Sequence, residues 1–494
     1  MIDHMPMHAK HTPAQKNFSN AVIPALLFAS LVLSSCVSSP PLRPVCRDRI
    51  RSTTKELGRF DNSPDQSAAV GSQYREDQIH SRDVAEARRA DKLQIEKRTS
   101  SNFWIAHVEF DDFGTLAQPR QLVEIEKEVL GMGNKGIFRN GITVVAFVHG
   151  WHNNSTRDNE NLMNFRKVIS GLASREAASG RGVLGVFLSW RGELTKIPVL
   201  TQLTYWSRKA TAHIIGDGNL SEALVRLKSL NLALADRYPS GFEDYFENTR
   251  LVLVGHSFGA AALYSAVADP LKTEYLQAYY RSKSRVGKER RQMELVKGFG
   301  DLVLLINPAF EALRYRMIDF HIRDNATVDY DGAQPVIMLI VGSEGDGANR
   351  TYFPIGQTLG NAGRLLLGKR TSESGVSGNK KQGRQLITSV GTYEEFATHR
   401  LQHGSDGRGT LLNVIQRESE RKSIKKFLAK APNPTPSGQP LTPFMVVQTA
   451  SDLIPDHNDI WRSDFGKFVV DFVAAQSIHV ARSKDTEMRQ LQAR

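Results

Sequence analysis

A strand that runs straight into a helix can turn that corner in very few ways, and residues 251–262 hold one of them. Leu251-Val252-Leu253-Val254 is a run of β-branched and leucyl residues, the pattern of a short strand buried on both faces. Gly259-Ala260-Ala261-Ala262 then opens a helix of small residues, which the spacing ends at Asp269-Pro270, because proline lacks the N–H that would continue it. Between the two stands Gly255-His256-Ser257-Phe258-Gly259. Glycines two before and two after the serine remove the Cβ atoms that would collide where the chain doubles back. Ser257 is thereby held in strain at the tip, its Oγ exposed and a helix N-terminus behind it. The backbone N–H of Phe258 is left free to bind a developing oxyanion. The five-residue pattern is common in unrelated chains; its two flanks are what make it constraining.

Strand, corner and small-residue helix together resemble the nucleophile elbow of the α/β-hydrolase family of serine hydrolases, with Gly255 and Gly259 as its glycines. The rest of the chain alternates in a compatible way. Apolar runs at 103–110, 142–148, 183–190, 302–309, 335–341 and 444–450 read as strands, with helical stretches between them. That alternation implies an α/β fold: a mainly parallel sheet with helices on both faces, here with insertions. Functional groups should lie at the carboxyl ends of its strands.

The resemblance also distributes roles. It puts the second oxyanion donor on the backbone N–H of Trp151, after the strand ending in His149-Gly150, with Gly150 allowing the substrate carbonyl to approach. His149 and His152 read as loop histidines bonded to nearby backbone, and no carboxylate stands near them at a metal-ligand spacing. The family's acid lies on a loop after a strand downstream of the serine. Asp346 in Gly342-Ser343-Glu344-Gly345-Asp346-Gly347 fits, with Glu344 and Glu311 as rivals and a solvated Asp-Gly turn as the plainer reading. The base must follow the acid, which leaves His399, His403, His457 and His479. Of these, His457 alone sits in a loop directly after a strand and before a helix, the 465–472 segment, with Ile460 and Trp461 nearby. A Ser257, Asp346, His457 triad implies hydrolysis of a carboxylic ester through an acyl-enzyme, with no metal or organic cofactor. Acyl transfer, thioester or amide cleavage, and a non-catalytic lipoprotein that keeps the fold remain as alternatives.

The N-terminus reads as an address. Lys10 and Lys16 precede an apolar run, Ala21 to Leu33, that is too short to span a bilayer of about 30 Å and is interrupted by Pro24. Leu33-Ser34-Ser35-Cys36 resembles the lipobox of bacterial lipoproteins, which implies a signal peptide over 1–35 and acylation of Cys36. Several acyl chains would anchor the protein stably where one is marginal. Val37, rather than an aspartate, after that cysteine points to the outer membrane. Residues 36–101, rich in proline, serine and charge, read as a tether, and 75–97 could form a charged helix. The catalytic domain is expected over 102–475, with 192–248 as either a cap or an ordinary crossover, 353–443 as an insertion, and 476–494 as a polar tail. Asn219-x-x-Glu222 resembles a capping box, followed by Leu220, Leu224, Leu227 and Leu230 on one helical face.

The formal net charge is +12, gathered in 281–297, 369–384 and 417–430. Phe427 is the one aromatic residue in those basic runs, so they read as solvated surface rather than as a nucleic-acid site. Two cysteines, Cys36 and Cys46, cannot build a disulfide framework or a cysteine metal site. The expected partners are therefore an ester substrate and a membrane.

Overall fold

The computed structural model describes residues 95–97, 103–138, 140–156, 158–192, 205–235, 249–284, 292–324, 329–330, 334–360, 376–403, 410–414 and 442–473. Its strands are β1 (Ile95–Lys97), β2 (Phe103–Phe110), β3 (Ile142–Val148), β4 (Gly182–Trp190), β5 (Thr249–His256), β6 (Gln292–Met293), β7 (Leu302–Ile306), β8 (Asp329–Tyr330), β9 (Met338–Ser343), β10 (His399–His403), β11 (Thr410–Val414) and β12 (Phe444–Thr449). Ten of them form one sheet in the order β1-β2-β4-β3-β5-β7-β9-β12-β10-β11, and β6 pairs with β8 apart from it. The eight strands from β2 to β10 in that order run parallel. The two edge strands, β1 and β11, are antiparallel to their neighbours. Every residue of β3, β4 and β12 is buried, which is what a strand covered on both faces requires.

Helices supply the cover. They are α1 (Pro119–Asn134), α2 (Glu160–Glu176), α3 (Tyr205–Ile215), α4 (Ser221–Ala235), α5 (Phe258–Ser284), α6 (Ala312–Asp324), α7 (Phe353–Gly360), α8 (Val376–Ile387) and α9 (463–473). Leu122, Leu224, Leu263 and Tyr315 bring α1, α4, α5 and α6 into one core layer. Phe165 and Ile169 of α2 and Phe465 of α9 belong to the layer on the opposite face. Each such side chain stabilises the fold by about 1.5–3 kcal/mol when fully buried. The chain reverses its direction of travel across the sheet between β3 and β5, with α2 and α5 leaving on opposite faces. At such a switch point a crevice opens outside the strands' carboxyl ends.

Several elements differ from what the sequence suggests. Helix α5 does not stop at Asp269-Pro270 but runs through to Ser284. Leu271, Tyr275 and Ala278 continue its buried stripe, and their burial outweighs the roughly 3 kcal/mol cost of an internal proline. Asn219 and Glu222 do not form a capping box. Their side chains bond each other at 2.8 Å, while Asn219 Oδ1 accepts from the N–H of Leu116 at 3.3 Å. Gly218 breaks the helical path just before, and Ser221 Oγ donates to the carbonyls of Gly216 and Gly218 instead.

The 192–248 stretch does two jobs. Leu220, Leu224, Leu227 and Leu230 are buried, and α4 packs on the sheet face beside β5 as a crossover helix. Helix α3 instead crosses the carboxyl edge of the sheet. Buried Arg208 donates to Asp112 after β2 at 2.6 Å and to the carbonyl of Arg191 after β4 at 2.8 Å. Lys209 reaches Glu311, beyond β7, at 2.5 Å.

The 353–443 segment is partly built into the sheet. Its β10 pairs parallel with β12, so the last strand in sequence is not the last in space. Within the 36–101 segment, residues 95–97 form β1 of the sheet, not the end of a helix. The signal segment 1–35, Cys36, Cys46, the rest of the tether to residue 94, His479 and the tail 476–494 lie outside the described residues.

Candidate active site

Ser257 sits between β5 and α5 with φ +56°, a left-handed backbone that a residue with a Cβ adopts only when its surroundings enforce it. Its N–H donates to the carbonyl of Ile306 and its carbonyl accepts from the N–H of Ala309, both at 3.1 Å, which ties the corner to the end of β7. The flanking glycines are sterically required. A Cβ on Gly255 would stand 2.7 Å from the Cα of Ala260, and one on Gly259 would stand 2.2 Å from the carbonyl oxygen of Val148.

Three side chains from separate strand ends meet here. His457, in the loop after β12, places Nε2 2.7 Å from Ser257 Oγ and Nδ1 2.9 Å from Asp346 Oδ1. An ionised carboxylate only accepts, so Nδ1 carries the proton and Nε2 is left to accept from the serine hydroxyl. Asp346 follows β9 and its side chain is fully buried. Burial by itself would push its carboxyl up. The hydrogen bond and charge of His457, with bonds from the N–H and side-chain amide of Asn349 at 2.9 and 2.8 Å, outweigh that and hold it below the usual carboxylate range.

The loops carrying Asp346 and His457 press together. A Cβ on Gly345 would lie 2.3 Å from the carbonyl oxygen of Pro455, and Ser343 Oγ donates to the carbonyl of Ile454 at 2.5 Å. Ile460 is buried, and the Trp461 ring packs on Phe147 at 5.2 Å while its indole N–H donates to Asn161 at 3.1 Å.

The rival candidates lie elsewhere. Glu344 pairs with Arg400 at 2.6 Å, and Glu311 pairs with Lys209. His399 is on β10 beside Thr398 Oγ1, with burial lowering its pKa to about 4, and His403 lies 3.8 Å from Asp452. His149 is a buried loop histidine as its context suggests. Nδ1–H donates to the Gly150 carbonyl at 2.9 Å, Nε2 accepts from the N–H of Trp190 at 3.1 Å, and its ring stacks on Trp190.

The backbone beside Ser257 can receive negative charge. Phe258 opens α5, and the first N–H groups of a helix have no carbonyl within it to bind. Trp151 follows the 148–150 segment that presses on the elbow: a Cβ on Gly150 would stand 2.8 Å from the Cβ of Ser257. Among the described residues, neither N–H has a backbone carbonyl as partner. The Trp151, Phe258 and Tyr205 rings pack together with centroids 5.3–6.0 Å apart, so α3 brings an aromatic wall to both donors. Such an array can take a proton from a hydroxyl and stabilise an oxyanion next to it.

Two buried polar residues at the site, His256 and Asn307, carried no sequence signal of a role. Asn307 does stand out afterwards as an amide between an apolar strand and Pro308. Among the described residues, no group of three or more His, Cys, Asp or Glu side chains is placed to hold a metal ion. No protein-family model, curated protein or solved structure matches the chain.

Proposed function

We propose that the chain is a serine hydrolase of the α/β-hydrolase type that cleaves carboxylic esters. One observation carries this reading: a single imidazole bridges Ser257 Oγ at 2.7 Å and the buried carboxylate of Asp346 at 2.9 Å, at a strained strand-to-helix corner. The chain order Ser257, Asp346, His457 is the order of that fold's triad.

Ser257 Oγ attacks the acyl carbonyl as His457 Nε2 takes its proton. The N–H groups of Trp151 and Phe258 bind the oxyanion, and a donor of this kind is worth about 2.7–4 kcal/mol in the transition state. Asp346 keeps the imidazole in the Nδ1–H tautomer and stabilises the imidazolium. That imidazolium protonates the departing alkoxide, leaving an ester on Ser257. Water then attacks the acyl carbon as His457 takes its proton, and the serine leaves with that proton restored. Acyl transfer to another acceptor, or attack on a thioester or amide, uses the same groups.

The membrane anchor belongs to the same proposal and rests on Leu33-Ser34-Ser35-Cys36 after a short apolar run. It places the enzyme in a bacterial envelope, on the outer membrane. On this reading the acylated cysteine makes the attachment; among the described residues no helix is long and apolar enough to cross a membrane. Hydrolysis of p-nitrophenyl esters of graded acyl length by the purified protein tests the activity. His457→Ala should abolish it, and turnover retained in that variant would refute the assignment.

A further inference from the structure

Four neighbouring strands of the sheet, β5, β7, β9 and β12, all end at the site. Three of them deliver Ser257, Asp346 and His457. The remaining one, β7, stands between the strand of the nucleophile and the strand of the acid, and it delivers Asn307. This residue is fully buried and sits at φ +43°, a conformation that asparagine tolerates better than most side chains.

Each of its polar groups is engaged with a different part of the site. Its N–H donates to the carbonyl of Val341 at 2.8 Å, and its side-chain Oδ1 accepts from the N–H of Ser343 at 3.0 Å, both on β9. Its carbonyl accepts at 2.8 Å from Asn349, the residue that also binds the Asp346 carboxylate. Its Nδ2 donates to the main-chain carbonyl of His457 at 3.0 Å. That same carbonyl receives a second donor, His256 Nε2, at 2.9 Å. A carbonyl oxygen has two lone pairs, and both are therefore taken by groups on the strands that carry the nucleophile and its neighbour.

We propose that Asn307, assisted by His256, is the positioning residue of the triad. It grips the backbone of His457 and, through Asn349, the carboxylate of Asp346, and so fixes the imidazole between acid and nucleophile. This rests on the hydrolase reading for its catalytic consequence, while the clamp itself is a matter of geometry. The base loop enters the site from residues 150 positions further along the chain than Asn307; within the loop Asp456 Oδ1 accepts from the N–H of His457 at 2.6 Å, while the carbonyl of His457 is held from outside the loop. A glycine at 307 would satisfy the backbone angle but could supply neither Oδ1 nor Nδ2. An aspartate would keep an acceptor for Ser343 and turn the donor facing His457 into a repelling oxygen. At position 256, burial keeps the imidazole neutral, lowering its pKa to about 3, so that it donates through Nε2–H without placing a charge behind the base.

The test uses the purified full-length protein carrying Asn307→Asp, and the pair His256→Leu and His256→Gln. Misplacing a catalytic group by about 1 Å costs on the order of 100-fold in rate, so Asn307→Asp should lower kcat by about 10- to 100-fold with KM within about twofold. A proton NMR readout needs no substrate. The low-field resonance of His457 Nδ1–H, identified by its loss in His457→Ala, should shift or vanish in Asn307→Asp while circular dichroism stays native. If Asn307→Asp does not fold, the His256 pair decides. Leucine removes the second donor and should lose rate and perturb the resonance, and glutamine, whose Nε2 can replace the imidazole donor, should restore most of both. Wild-type kcat and an unmoved resonance in a folded Asn307→Asp, or equal behaviour of leucine and glutamine at 256, would overturn the proposal. A wild-type protein that shows the resonance but hydrolyses no ester would instead count against the hydrolase reading, and the resonance would still decide the clamp.

Discussion

Stability should depend on pH through histidines that stay neutral inside the fold, and His149 allows the effect to be isolated. Burial lowers its pKa from about 6.5 to about 4, only partly offset by the bond its Nδ1–H donates to the Gly150 carbonyl. Between those pH values the unfolded chain binds a proton on this residue and the folded chain does not. Stability therefore falls as pH falls: the contribution is complete above about pH 6.5 and gone below about pH 4. At about 1.4 kcal/mol per pH unit, that span amounts to about 3 kcal/mol. His213, His256 and His399 act in the same direction, so the wild type alone cannot apportion the effect. His149→Gln removes only the one titration. At pH 7.5 the variant should be less stable by about 1–3 kcal/mol, for the lost stacking and the buried N–H of Trp190 left without its acceptor. Urea unfolding followed by tryptophan fluorescence should show the wild type's advantage closing and then reversing, a swing of about 3 kcal/mol as pH falls from 6.5 to 4. A gap that stayed constant across that range would refute the buried neutral histidine.

Asp346→Asn should lower kcat by about 10⁴-fold by releasing the wrong imidazole tautomer, whereas Glu311→Gln should keep the rate and cost about 3–5 kcal/mol of stability by leaving Lys209 buried without its carboxylate. Ester-hydrolysis kinetics and melting of both variants check this, and the opposite pattern would move the acid to Glu311. Gly259→Ala puts a Cβ within 2.2 Å of the Val148 carbonyl oxygen and 2.4 Å of that of His149, both backbone atoms. It should cost more than about 4 kcal/mol, read as loss of a cooperative melt. Cys36→Ser should move the protein from the membrane fraction to the soluble one and abolish labelling by an alkynyl fatty acid.

The parts of the fold that could be read from sequence were those set by local chemistry. Runs such as Ile142–Val148 and Phe444–Thr449 announce strands because nearly every position is apolar or β-branched, and the Ser257 corner announces itself by the glycines its backbone needs. Asp346 and His457 could be placed because each stands one short loop beyond such a run. What stayed hidden depends on contacts between distant residues. Nothing near Pro270 shows that Leu271 and Tyr275 will be buried deeply enough to carry α5 past a proline. The Lys- and Gly-rich composition of 353–443 conceals two strands, 399–403 and 410–414, which pair with each other and join the sheet through a strand beyond the insertion. Asn219 and Glu222 have the spacing of a cap, but the bond of Asn219 to Leu116, 103 residues away, uses the same oxygen. The parts played by His256 and Asn307 are hidden for the same reason, since their partner is a main-chain carbonyl that any residue at 457 would possess.

The most direct measurement of the central claim is covalent labelling of the purified full-length protein with a fluorophosphonate. Such a probe reacts only with a serine whose hydroxyl is activated by a neighbouring base. Wild type should be labelled at a single site that peptide mapping assigns to Ser257, and Ser257→Ala should take up none. Label retained at another residue of the folded Ser257→Ala variant, or no label on a natively folded wild type, would contradict the account.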